Sequence, residues 1–176
     1  MSRPVIAEES VTDVAFDLLA WLAFVGGAGL RLWATLYIGG RKSRTVVTDG
    51  PYSVCRNPLY LGSFLLTLSL ALFLKSAAVL VAAVAFMLAY VAYSIPAEER
   101  LLWETFSEVY RSYCERTPRF LPRVGNYHSP DVVEVEVRAL HRELRKLTGW
   151  ILLPFLTELV GHLRANPWWP HLFRLP

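Results

Sequence analysis

Apolar residues dominate three stretches that carry almost no charge. Residues 18–38 hold one ionised side chain, Arg31, while 59–74 and 76–95 hold none. A bilayer core needs about 20 residues of helix, with a working range near 17–25. Segments 18–38 and 76–95 therefore predict transmembrane helices. Segment 59–74 is shorter and predicts a third span, in a thinned bilayer or lengthened by its flanks. Only Lys75 separates the second span from the third, which predicts a tight helical hairpin with the ammonium snorkelling to the outer headgroups. The run Gly26-Gly27-Ala28-Gly29 in the first span predicts close approach of a neighbouring helix.

The pattern changes after Pro96. Leu102, Phe106, Val109 and Tyr113 recur at helical spacing and predict an amphipathic helix over 97–115, ended by Pro118 and Pro122. Residues 125–130 read as a polar turn, with Asp131 as the N-cap of a second amphipathic helix. That helix would place Val133, Val137, Leu140, Leu144 and Leu147 on one stripe and Glu134, Arg138, His141, Arg142 and Arg145 on a solvated face. Segment 150–163 is apolar but short, and it contains Pro154 and Glu158. It reads as interfacial, re-entrant or a lid. The aromatic tail from Asn166 to Phe173 reads as a membrane-interface anchor. The expected fold class is all-α: a polytopic membrane helical bundle of three transmembrane helices, with 150–163 as a fourth short or re-entrant segment and amphipathic cytoplasmic helices over 97–147.

Composition agrees. The 176 residues suffice for one domain, spanning 1–176, and 54% are hydrophobic while 19% are charged, against roughly 25% charged in a soluble domain. Disorder, collagen-like repeats and a disulfide scaffold are excluded. A net charge of +3 gives no reason to expect a nucleic-acid partner, but the arrangement of charge is informative. Glu8, Glu9 and Asp13 face a single Arg3 at the N-terminus, whereas 39–58 carries Arg41, Lys42, Arg44 and Arg56, and 97–146 carries many more arginines. The positive-inside bias then puts the N-terminus outside and both basic regions in the cytoplasm. Cys55 and Cys114 fall on that side and read as free thiols. The N-terminus lacks a basic n-region, so no cleaved signal peptide is expected. His128, His141, His162 and His171 are scattered without metal-ligand spacing, so no metal is expected.

Two segments flank the hairpin and carry the polar chemistry. Before it stands Asp49-Gly50-Pro51-Tyr52-Ser53-Val54-Cys55-Arg56-Asn57-Pro58-Leu59-Tyr60-Leu61-Gly62; after it stands Pro96-Ala97-Glu98-Glu99-Arg100-Leu101-Leu102. The hairpin brings Arg56 and the Glu98/Glu99 pair to one membrane face. Gly50 permits a positive φ, and the residue before Pro58, Asn57, is steered to extended backbone. A guanidinium can grip a carboxylate or phosphate with two donors, while carboxylates can accept from ribose hydroxyls or balance a cation. Simpler roles stand beside these: Arg56 as a topology signal, and Glu98/Glu99 as acids favoured at a helix N-terminus. Arg31, costly inside an apolar span, is a functional suspect that could also reach the headgroups.

The order GPYxxxRxPxYLG, hairpin, EERxL, then FxxxYxxY and PRFLP resembles the isoprenylcysteine carboxyl methyltransferase family. That family belongs with the phospholipid N-methyltransferases among integral-membrane enzymes that use S-adenosylmethionine. The resemblance covers 45–122, with Leu30-Arg31-Leu32 as a weaker extension. It implies a cofactor pocket lined by Gly50, Pro51, Tyr52, Arg56, Asn57, Pro58, Tyr60, Glu98 and Glu99. It implies catalytic positions at Arg56, Glu98, Glu99 and Arg31. Asn57 stands where the family has His; it keeps a donor and an acceptor but cannot titrate near neutral pH. The implied reaction is methyl transfer to a lipid-like acceptor, by carboxylate O-methylation or amine N-methylation, at the cytoplasmic face. Two alternatives remain: an NADPH-dependent reductase similar to the steroid 5-reductases, and a non-catalytic membrane interaction protein.

Overall fold

The computed structural model describes residues 11–41 and 44–165. Glu8, Glu9, Lys42, His171 and the aromatic tail lie outside them, and the side chains of Asp13, Glu158 and His162 are not described. All regular elements among the described residues are helical: α1 (Val11–Ile38), α2 (Pro51–Val54), α3 (Pro58–Phe73), α4 (Ala77–Ala89), α5 (Ile95–Arg116) and α6 (Val137–Ala165). A π turn, Tyr90–Ser94, joins α4 to α5, and a short 3₁₀ turn occupies Val124–Asn126.

Two helices are long and apolar enough to cross a membrane, Val14–Ile38 and Ala77–Arg116, and Pro58–Phe73 is a shorter apolar helix between them. Most of their apolar surface is exposed, including Leu18, Leu22, Val25, Val81, Val84 and Leu88. In water such a surface would be unfavourable by about 25 cal/mol per Å²; against lipid it is not.

The first and third helices cross where two glycines meet. A Cβ on Gly27 would lie 2.8 Å from the Gly62 carbonyl oxygen, and one on Gly62 would lie 2.6 Å from Arg31 Cγ. Only Gly27 of the sequence cluster makes this approach; nothing lies within 4 Å of a Cβ on Gly29. Around the crossing, Phe24, Leu66 and Leu147 form an apolar core with Ala28, Leu32 and Trp150. A second core of Ala34, Tyr37 and Tyr52 gathers Trp33, Leu59 and Val133.

Lys75 takes a positive φ of 46° at the hairpin tip, and its ammonium pairs with Asp17 of α1 at 2.9 Å. Four expectations change. Pro96 does not separate span from tail: the helix runs on from Ala77 to Arg116. A proline inside a helix removes one backbone donor and crowds the carbonyl a turn earlier, and the widened π turn at Tyr90–Ser94 absorbs this. Glu98 and Glu99 therefore sit at no free helix start. The break falls instead at Ser107, with φ 35° and ψ −106°.

The third change concerns 131–163. Asp131 caps nothing, since α6 begins at Val137 and continues through Pro154 to Ala165. Segment 150–163 is thus the second half of one continuous helix. Fourth, the inward stripe of α6 is Glu143, Leu147, Trp150 and Pro154, while Val137 and Leu144 point outward. Burying Glu143 against Arg31 rotates the helix away from the purely apolar stripe.

Candidate active site

The site begins at a turn that only glycine can make. Gly50 has φ 59°, and a Cβ there would lie 2.3 Å from Tyr37 Cζ. Gly50 N donates to the His128 carbonyl at 2.8 Å, Ser53 Oγ donates to the Gly50 carbonyl at 2.6 Å, and His128 N donates to Ser53 Oγ at 3.2 Å. Pro51 then opens α2, and Pro58 opens α3, each at a first-turn position where a missing N–H is harmless. Asn57 between them has φ −122° and ψ 52°, short of the extended geometry expected. Beyond the Ser107 break, Tyr113 Oη donates to the Tyr52 carbonyl at 2.8 Å, tying α5 to this turn.

Arg56 meets one of the two acids. Arg56 Nη1 lies 3.4 Å from Glu99 Oε1 and donates to Cys114 Sγ at 2.8 Å. Arg119 grips the same carboxylate with two donors, Nη2 to Oε2 at 2.8 Å and Nε to Oε1 at 3.2 Å. Glu98 takes a different partner: Tyr60 Oη donates to its Oε2 at 2.7 Å. The twin acids therefore divide, one held between two guanidiniums and the other joined to a phenol. Burial pulls the Arg56 pKa down, but Cys114 and Glu99 outweigh it and the net shift is upward. Burial likewise pushes the Cys55 thiol and the Tyr52 phenol up, keeping both protonated at neutral pH.

Sequence reasoning missed Arg119 as a site residue, although it lies inside the Pro118–Pro122 motif. That motif forms a strap over the Arg56 turn. Arg56 N donates to the Pro118 carbonyl at 2.9 Å, Asn57 Nδ2 to the Arg119 carbonyl at 3.2 Å, and Arg123 N to the Val54 carbonyl at 3.0 Å. Asn57 thus holds the strap through a neutral donor, a role that needs no titrating imidazole.

Arg31 belongs to a second polar centre. Its Nε meets Glu143 Oε1 at 2.5 Å, and its Nη1 donates to Ser63 Oγ and the Leu59 carbonyl. The side chains are 17% and 7% exposed. One unused signal pointed to Glu143: it is the lone acid among the basic residues of 138–146, roughly 100–160° around the helix from the arginines at 100° per residue. Gly50, Pro51, Tyr52, Arg56, Asn57, Pro58, Tyr60, Glu98 and Glu99 occupy one neighbourhood; Arg31 stands apart from its ion pairs.

Two polar atoms in this neighbourhood are buried without a hydrogen-bond partner, Tyr52 Oη and Arg56 Nε. Buried polar groups are normally satisfied, and a donor on a guanidinium left open suits an anionic group on a ligand. Beside the turn lies an apolar cavity of about 330 Å³, bounded by Leu30, Trp33, Val54, Pro58, Leu61 and Tyr127 among others. A charged cluster and a greasy cavity thus share the α2 turn.

The family model for phospholipid methyltransferases matches residues 15–109, from α1 to the middle of α5. The chain belongs to the phospholipid methyltransferase family. The assignment made from the motifs therefore holds, and membership makes this a methyltransferase-type fold associated with membranes. Arg119 and Glu143 fall beyond the matched region. Among curated proteins, the chain is 38% identical over 149 residues to the nickel-cobalt-cadmium resistance protein NccN of Alcaligenes xylosoxydans xylosoxydans, covering 83% of this chain and 68% of that one. It is 41% identical over 138 residues to the cobalt-zinc-cadmium resistance protein CzcN of Cupriavidus metallidurans, covering 78% and 61%. The chain thus spans about two thirds of the length of these relatives. No solved structure matches it.

Proposed function

We propose that the chain transfers a methyl group from S-adenosylmethionine to a lipid-like or hydrophobic acceptor at the cytoplasmic membrane face, with the N-terminus outside. The observation that carries this reading is the meeting of Arg56, Glu99 and Arg119 beside an apolar cavity. A polar, zwitterionic cofactor and a greasy acceptor require that adjacency. The open Arg56 Nε and Tyr52 Oη fit such a cofactor: the guanidinium would receive its carboxylate, and Glu98 with Tyr60 would face its hydroxyls or cationic groups. When bound, S-adenosylmethionine supplies a methyl group already activated toward displacement.

The remaining work is alignment, which can supply roughly 7–11 kcal/mol. Glu99, with both oxygens on Arg119, acts as a fixed counter-charge that orients Arg56. Glu98, joined to the Tyr60 phenol, is the candidate base for an amine acceptor. A carboxylate acceptor would need no base. Pro51, Val54 and Pro58 wall the cavity, and the strap over 118–123 is hydrogen-bonded to the turn. The metal-resistance names of both relatives point to metal-challenged membranes as the place to seek the acceptor.

Calorimetric titration of the detergent-purified chain with S-adenosylhomocysteine tests the assignment. Saturable binding that weakens at least tenfold in Arg56→Ala is expected. No binding at millimolar ligand, or preferential binding of NADPH, would overturn it and return the reductase or the non-catalytic reading.

A further inference from the structure

One face of α6 changes character halfway along its length while keeping its direction. Arg138, His141, Arg142, Arg145 and Thr148 line a surface concavity of about 600 Å³. At 100° per residue, Leu152, Phe155, Leu156 and Leu159 continue the same face, and all four are exposed. The opposite face is inward: Glu143 and Leu147 are buried, as is Pro154. The only acid of 137–149 is therefore withdrawn from the outer surface to meet Arg31, leaving that surface cationic. Nearby acids are few: Glu136 lies 3.9 Å from Arg142, and Lys146 reaches Glu143 at 3.9 Å.

From this arrangement we infer that the outer face of α6 is a docking site for an anionic diacyl phospholipid. Its phosphate would lie on Arg138, Arg142 and Arg145, and its acyl chains would run along Leu152, Phe155, Leu156 and Leu159. Charge complementarity fixes the sign of the headgroup, since guanidiniums hold phosphate with paired donors. The apolar continuation distinguishes a lipid from a soluble anion or a nucleic acid, which would leave those four side chains in water. The same chain carries two helices fit to cross a bilayer, so the ligand is at hand. The site is separate from the Arg56 cluster and stands whether or not methyl transfer is the activity.

The test uses the full chain in dodecyl maltoside, with thermal unfolding followed as phosphatidylglycerol or phosphatidylcholine is titrated in. Phosphatidylglycerol raises the midpoint and phosphatidylcholine does not. Each arginine near an anionic headgroup contributes roughly a fivefold change in affinity. The triple variant R138Q/R142Q/R145Q therefore loses on the order of a hundredfold, while R138K/R142K/R145K keeps most of the effect. Arg145→Gln alone, one exposed change, loses about fivefold and serves if the triple variant does not fold. Equal responses to the two lipids, or an undiminished response in the glutamine variants, would overturn the inference. So would equal stabilisation by glycerol 3-phosphate or by a DNA duplex.

Discussion

The Arg31–Glu143 pair offers the sharpest test of how α1, α3 and α6 are held together. Removing one partner strands the other in a poorly hydrated seam, which in buried pairs is destabilising by about 3–5 kcal/mol. Glu143→Leu leaves Arg31 with Ser63 Oγ and the Leu59 carbonyl as acceptors, so the lower end, about 3 kcal/mol, applies. Arg31→Met leaves a carboxylate that is 7% exposed with only the distant Lys146 ammonium at 3.9 Å, and the upper end applies. At roughly 2–4 °C per kcal/mol for a chain of this size, the single variants should unfold about 6–12 °C and 10–20 °C lower, respectively. The double variant replaces both charges with apolar side chains of similar volume. Such replacements are often neutral, so it should recover to within about 4 °C of the parent. Thermal unfolding of all four proteins in one detergent gives the coupling energy directly. Additive losses, with the double variant worse than either single one, would refute the buried pair and the placement of α6 against α1.

Other outcomes follow from the turn and its strap. Gly50→Ala places a Cβ against the Tyr37 ring at a positive φ and should destabilise by about 1–3 kcal/mol, read as a lower unfolding midpoint. Arg119→Gln removes two charged donors from Glu99 and should weaken S-adenosylhomocysteine binding about tenfold or more by calorimetry; unchanged affinity would deny Glu99 its orienting role. Asn57→His keeps a donor for the Arg119 carbonyl and should bind the same ligand within about threefold, while Asn57→Leu should lose about 1 kcal/mol of stability. Burial raises the Cys55 pKa, whereas the unfolded thiol deprotonates near about 8.5. The unfolded state therefore sheds its proton first, and this contribution to stability is present below that pH and lost as pH rises toward the folded value. Iodoacetamide labelling of Cys55, followed by peptide mass analysis, should reach half-maximal rate at a higher pH than glutathione does.

Much of the molecule was legible along the chain because hydrophobic runs and motif residues act locally. The almost uncharged stretches pointed to α1, α3 and α4, with the hairpin between the last two, since backbone groups in an apolar medium must pair within the segment. Pro58 suited the first turn of the second span, and Gly50 permitted a positive φ, because those residues restrict or free the backbone whatever surrounds them. That Arg56 and the Glu98/Glu99 pair share one end of the hairpin followed from the hairpin alone. Contacts between distant segments decided the rest. Pro96 and Pro154 both look like helix breakers, yet a π turn accommodates one and packing against the bundle carries α6 through the other. Which of two adjacent acids meets Arg56 depends on helix phase, and their separation by about 100° sends Glu99 to the guanidiniums and Glu98 to Tyr60. Arg119 and Glu143 take their roles from partners 20 and 112 residues away, and no local periodicity encodes an electrostatic match at that separation.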